Sequence, residues 1–225
     1  MPKYVVAKFQ KRASDLLRDF NETILAVHDK RRQASLESML AEQTAMSLAV
    51  YWEAFLNDII IQYIVLRPKS CFDDISKRYR QSLGDKFAGI ERWVSISFPN
   101  AISNTVAERI IDPKGLNVVA TSAQILSDVA NRFLSAVDAR KFSLTAEDRE
   151  FIDYFIALRN YLGHRSAASR TRFLAAARSM RAIGPNAQLT FNGGQIGVYL
   201  KQRVDGVTRV GLIVQRIVEI AGKLA

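Results

Sequence analysis

From about Leu36 to Leu66 the chain keeps helical spacing until Arg67-Pro68 stops it. Proline has no amide to give a helix interior and disfavours helical backbone in the residue before it. The middle of this segment, Met46-Ser47-Leu48-Ala49-Val50-Tyr51-Trp52-Glu53-Ala54-Phe55-Leu56, is so apolar that it belongs in a core. A helix of this length and character demands helical partners on several sides. The run from Ile59-Ile60-Ile61 to Ile64-Val65-Leu66 is broken by Gln62 and preceded by Asn57-Asp58. It is expected to be too short and too polar to span a bilayer.

The rest of the sequence repeats the helical period. Val5, Val6, Phe9, Ala13, Leu16, Leu17, Phe20 and Ile24 predict a long first helix, separated from the second by Asp29-Lys30-Arg31-Arg32. Residues 71–98 read as two shorter helices hinged near Gly84, with breaks at Pro99 and at Asp112-Pro113-Lys114-Gly115. An amphipathic helix is expected over about Ser122 to Arg140, with Ile125, Leu126, Val129, Phe133, Leu134 and Val137 on one face. Thr145 is then a natural N-cap, with Glu147 and Asp148 in the first turn of the helix that carries Phe151 to Leu158. A helix from about Ala167 to Met180 ends at Gly184-Pro185. A small β-hairpin is predicted over 188–200, pairing Gln188–Phe191 with Gln195–Leu200 around Asn192-Gly193-Gly194. A last helix covers about Val204 to Leu224. The expectation is one all-α domain over 1–225, a helical bundle with long antiparallel helices and a small hairpin near its C-terminal end.

Thirty-two Lys+Arg against twenty-two Asp+Glu leave a net charge of +10 on 225 residues, which favours an anionic partner such as nucleic acid or an acidic protein. Cys71 is the only cysteine and is expected to be a structural thiol, which excludes a disulfide framework and a thiolate metal cluster. The N-terminus has no signal-peptide pattern, and a cytoplasmic protein is expected. No glycine-rich phosphate loop or Gly-x-Ser-x-Gly elbow is present, and two histidines cannot furnish a histidine-rich metal site. His28 lies beside Arg31 and Arg32 and reads as a surface or interface residue.

The residues with chemistry to offer are Arg159-Asn160-Tyr161-Leu162-Gly163-His164. An imidazole can take a proton from a ribose 2′-hydroxyl, and a guanidinium offers phosphate oxygens a fixed fork of donors. Asn160 and His164 are four apart and share a helix face; Arg159 and His164 are five apart and do not. Gly163 is a plausible helix end. Arg159 and His164 would converge only if the helix ended between them, or if two copies of the motif met. Between Arg159 and Arg181 there are six arginines (159, 165, 170, 172, 178 and 181) and no acid. Arg165, Arg170, Arg172, Arg178 and Arg181 are therefore candidate RNA-binding residues. The alternative is a solvated cationic helix face.

Arginine, a polar residue and then histidine, late in a helical chain, resembles the signature of the HEPN superfamily. Here it is Arg159, Asn160 and His164. The segment from Ala49 to Asp58 is similar to the tryptophan–glutamate core helix of larger bacterial HEPN families, and the resemblance spans about 36–181. It implies a HEPN-like helical bundle, an endoribonuclease that needs no metal and no cofactor, and a homodimer whose two motifs face each other across a cleft. By carry-over His164 is the general base or acid and Arg159 the phosphate ligand. Asn160 orients them, and the product carries a 2′,3′-cyclic phosphate. Glu53 either hydrogen-bonds within the site or pairs with an arginine. HEPN toxins silenced by a nucleotidyltransferase antitoxin carry a modified tyrosine two residues beyond the histidine. Here that position is Ser166, and Tyr161 is not its equivalent. A toxin–antitoxin or phage-defence role, with an antitoxin or defence partner, is the biological setting the resemblance implies. Two other readings compete: a non-catalytic module binding RNA, nucleotide or a partner protein, and a scaffold whose cationic face docks an acidic partner.

Overall fold

The computed structural model describes residues 1–27, 30–87, 89, 93–112, 122–179 and 195–225. The fold is all-α. Helix α1 (Pro2–Ala26) and helix α2 (Lys30–Leu66) pack antiparallel, with the Met1 ammonium donating to Gln62 Oε1 at 3.0 Å, so that the start of one lies beside the end of the other. Their seam is aromatic: Phe9 stacks on Phe55 at 4.6 Å and lies 5.7 Å from Trp52. The apolar middle of α2 is core, as its composition demands, with Leu48, Leu56, Ile59, Ile60 and Ile64 fully buried. Trp52 is buried too, and its indole Nε1 has no hydrogen-bond partner among the described residues.

Over Arg32–Leu66, α2 is by length and composition alone apolar enough to cross a membrane, a test that a buried core helix also passes. In this fold 56% of its most apolar window is buried inside the protein, as a central core helix requires. Around it lie α3 (Lys69–Lys86), α4 (Asn104–Ile111), α5 (Ala123–Phe133), the short α6 (Ala136–Ala139) with a 3₁₀ turn at Arg140–Phe142, α7 (Ala146–His164), α8 (Ala167–Ser179), α9 (Ile196–Lys201) and α10 (Arg209–Lys223). One continuous apolar cluster joins Val6 on α1 to Leu224 after α10.

Four expectations need correction. Helix α3 runs straight through Gly84, and 94–99 forms no second helix. Pro99 disfavours helical backbone at Phe98, whose ring instead stacks on Phe72 at 4.4 Å. The helix expected from Ser122 to Arg140 is broken at Leu134-Ser135. There the Ser135 hydroxyl accepts from the Asp138 amide and donates to its carboxylate, which also binds Arg67 Nη1 at 2.6 Å. A serine that satisfies backbone locally caps a new turn and ends the old helix.

The hairpin is the third. Its expected first strand and turn, 188–194, lie outside the described residues, and Ile196–Lys201 is the helix α9. Ile196, Tyr199 and Leu200 recur at i, i+3 and i+4, and all three are buried as α9 packs on α2. The strand pair is instead β1 (Arg203–Val204) with β2 (Val207–Thr208), in the register Arg203 to Thr208 and Val204 to Val207. The turn residues Asp205 and Gly206 have φ 50 and 83, the positive values that a type I′ turn demands. The last helix therefore starts at Arg209 rather than Val204, with Thr208 Oγ1 capping the Gly211 amide. The fourth correction, at Gly163, belongs to the site.

Thr145 caps α7 as expected, accepting from the Asp148 amide at 3.1 Å. Asp148 itself is fully buried, with Arg216 at 2.8 Å and Lys223 at 2.7 Å from its carboxylate. Burial pushes its carboxyl up, but hydrogen bonds from Lys223 and Thr145 and the charges of Lys223 and Arg216 outweigh this and hold it below the ordinary 3.8. A lowered folded-state value adds stability that is complete above the unfolded-state value and disappears as pH falls through the folded-state one. Asp148→Asn is expected to cost about 2 kcal/mol near neutrality, and urea melts of the two proteins should converge as pH drops below 3.8. A gap that persists there would mean the carboxylate charge is not what stabilises. Cys71 is fully buried, and burial pushes its thiol up to about 11, as suits a structural residue.

Candidate active site

Helices α7 and α8 are joined by two residues, and their side-by-side packing builds the site. Phe173 on α8 is the wedge. It lies against Tyr161 at 5.7 Å, Tyr154 at 5.8 Å and, edge-on, Tyr199 of α9 at 5.8 Å. The Tyr154 and Tyr199 hydroxyls meet at 3.1 Å, satisfying polar groups that would be costly to bury alone. Burial raises the Tyr154 phenol well above its usual value and keeps it protonated.

Helix α7 continues through Gly163 to His164, and the left-handed capping residue is Arg165, at φ 50 and ψ 18. Tertiary contacts hold a non-glycine residue in that conformation. The Arg165 guanidinium pairs with Glu42 of α2 and sits 5.6 Å above the Tyr161 ring, while its amide donates to the Tyr161 carbonyl at 2.9 Å. Gly163 is therefore an ordinary helical position, where a Cβ would make only van der Waals contact with the Met46 methyl at 4.0 Å. Ser166 follows and caps α8 through the Ser169 amide at 3.1 Å. Glu42 was not singled out in the sequence. Its other oxygen accepts from the Gly197 amide at 2.8 Å, so one carboxylate ties the turn after His164 to α9.

An open groove of about 430 Å³ runs between the two helices. From α7 it is lined by Asp153, Ile156, Ala157, Asn160 and His164, which recur at i, i+3, i+4, i+7 and i+11 and so form one face. Ser166, Ala168, Ser169 and Arg172 line the other side. His164 is exposed and Asn160 half-buried. The groove thus unites two of the three motif residues with one of the flanking arginines. Asp153 is the one carboxylate among these lining residues, and its Oδ1 already accepts from the Ala123 amide at 2.9 Å.

Arg159 is on the adjoining face and does not line the groove. Its Nε lies 3.0 Å from Glu53 Oε1, and its Nη1 donates to Asn160 Oδ1 at 3.2 Å. The Nε approach is a charge contact without hydrogen-bond alignment. Glu53 therefore pairs with an arginine, Arg159, in a half-exposed position rather than in the core, and makes no aligned hydrogen bond to the motif. The pair is partly solvated and worth on the order of 0–1 kcal/mol. Its structural effect is larger, because Arg159 fixes which way the Asn160 amide points.

The basic run does not form a single face. Arg165 turns to Glu42, Arg170 is half-buried with its Nε shielded and unpartnered, Arg172 faces the groove, and Arg178 is exposed. Arg181 and His28 lie outside the described residues. Among the described residues no three His, Cys, Asp or Glu side chains converge as a metal-ligand set would. The chain matches no protein-family model, no curated protein and no solved structure.

Proposed function

We propose that this chain is a HEPN-type endoribonuclease that cuts RNA without a metal at a cleft between two copies. The observation that carries the reading is the groove in which His164 and Asn160 on one wall face an arginine, Arg172, on the other. In the proposed step the His164 imidazole takes the proton of a ribose 2′-hydroxyl, and the freed oxygen attacks the adjacent phosphorus. The bond from phosphorus to the 5′ oxygen breaks, and that oxygen takes a proton from the second copy's His164. The products are a 2′,3′-cyclic phosphate and a 5′-hydroxyl. Arg159 and Asn160 complete the motif, Arg159 by orienting Asn160 and adding positive charge beside it. The groove is open, which leaves room for a second copy to close it over a strand. A cytoplasmic toxin–antitoxin or phage-defence component, with homodimerisation as part of its mechanism, fits this chemistry and the +10 charge.

One observation favours a second reading, an RNA-binding module that does not cut: Arg159 is engaged by Glu53 and stands outside the groove. The deciding experiment incubates the purified protein with single-stranded RNA in EDTA and analyses product end groups. Cleavage to cyclic-phosphate ends that is lost in Arg159→Ala supports the ribonuclease. Binding without cleavage selects the module, and no RNA affinity at moderate salt leaves a scaffold for an acidic partner.

A further inference from the structure

We infer that Arg172 is the phosphate ligand of the His164 groove and contacts the scissile phosphodiester in the same chain. The inference rests on the ribonuclease reading above and adds a residue that the Arg159-Asn160-His164 motif does not contain.

Three observations support it. First, Arg172 reaches the groove from α8, while Asn160 and His164 reach it from α7. A phosphate seated between the helices therefore meets the guanidinium on one side and the imidazole on the other. Second, Arg172 is exposed and makes no ion pair with any described acid. Arg165 is bound to Glu42 and Arg159 to Glu53, so both must give up a carboxylate before either can fully serve a phosphate. Third, about 430 Å³ is the volume of a small-ligand pocket, enough for one nucleotide unit and not for a stacked duplex.

The charge balance of the groove agrees. Asp153 lies among the lining residues, and one of its oxygens is held by the Ala123 amide. It sits eleven positions before His164, which at 1.5 Å per residue is roughly 16 Å along α7. Arg172 is six positions beyond Ser166 on the returning helix, roughly 9 Å from the turn. It therefore lies between the carboxylate and the imidazole. The phosphate end of the groove is the end nearest His164. There a bidentate guanidinium would meet the non-bridging oxygens as negative charge builds on them.

The test uses the full chain and a 5′-labelled single-stranded RNA 20-mer in EDTA. Arg172→Ala is expected to lower kcat about 10²-fold, with a smaller change in KM, because its contact strengthens in the transition state. Arg172→Lys should recover part of the loss, since the charge is kept and the fork is not. Arg80→Ala removes an equal charge from the exposed surface of α3 and controls for net charge. Thermal melts of Arg172→Ala should match wild type, as expected for an exposed side chain. If wild type cuts and Arg172→Ala cuts as fast as Arg80→Ala, the assignment is overturned and the ribonuclease reading stands. If wild type does not cut, that reading falls and takes the catalytic role of Arg172 with it.

Discussion

Replacing His164 with alanine is expected to reduce RNA cleavage by about 10²- to 10⁴-fold, the usual contribution of a positioned general base. The fold should not notice. His164 is exposed at the last turn of α7, so the substitution removes no packing and changes stability by roughly 0.5 kcal/mol at most. Binding of the same RNA should stay within a few-fold of wild type, because Arg172 and the arginines around the groove are untouched. The combination of lost turnover, kept affinity and an unchanged melting curve separates a chemical role from a structural one. A contaminating nuclease would cut equally in both preparations. Equal rates for wild type and His164→Ala would therefore end the ribonuclease reading. The same variant gives a cheap result in cells: if expression of wild type slows growth, His164→Ala should relieve it.

Gly197→Ala is expected to destabilise the protein by about 3 kcal/mol, the upper range for forcing atoms into a filled space. A Cβ at this position would lie 2.4 Å from the Ser38 carbonyl oxygen, 2.8 Å from its carbon and 2.9 Å from Glu42 Oε1. The first two are backbone atoms within α2 and cannot swing aside as a side-chain tip could. Helix α9 would have to lift, losing the Gly197 bond to Glu42 and uncovering Ile196, Tyr199 and Leu200. For a chain of this size the midpoint of thermal unfolding should fall by roughly 6–12 °C. Cleavage should fall as well, because Glu42 also holds Arg165, the residue after His164. A midpoint within 1 °C of wild type would show that α9 does not press on α2 at this point.

The helical character of the chain was legible because its signals are local. The periodic apolar positions of α1 and α2 bury as their spacing predicts, and Thr145 caps α7 with its own side chain. The errors fall where a local signal meets a second, stronger one. Asn192-Gly193-Gly194 drew the hairpin forward, while Asp205-Gly206 formed it, and the residues between packed as a helix against α2. Ser135 ended a helix that apolar spacing alone would have continued, because it and Arg67 share Asp138. At the site, the shared face of Asn160 and His164 and the offset of Arg159 follow from spacing on one helix. The partner of Arg165 does not, since Glu42 stands 123 positions earlier. The place of Arg172 depends on how α7 and α8 lie together, which no pattern within either helix states.

The central position of α2 has a consequence during synthesis. Helix α1 precedes it and can cover one side at once, but α7, α9 and α10, which pack elsewhere along it, come later. About eighty residues separate the end of α2 from the start of α7, and at 5–20 residues per second they take roughly 4–16 s to translate. Throughout that interval the nascent protein carries an apolar rod only partly covered, by α1 and then α4, close to the ribosome and to other chains. Rapid translation, low temperature or a holdase chaperone should therefore raise the soluble yield of this protein more than that of one whose core helices are neighbours in sequence.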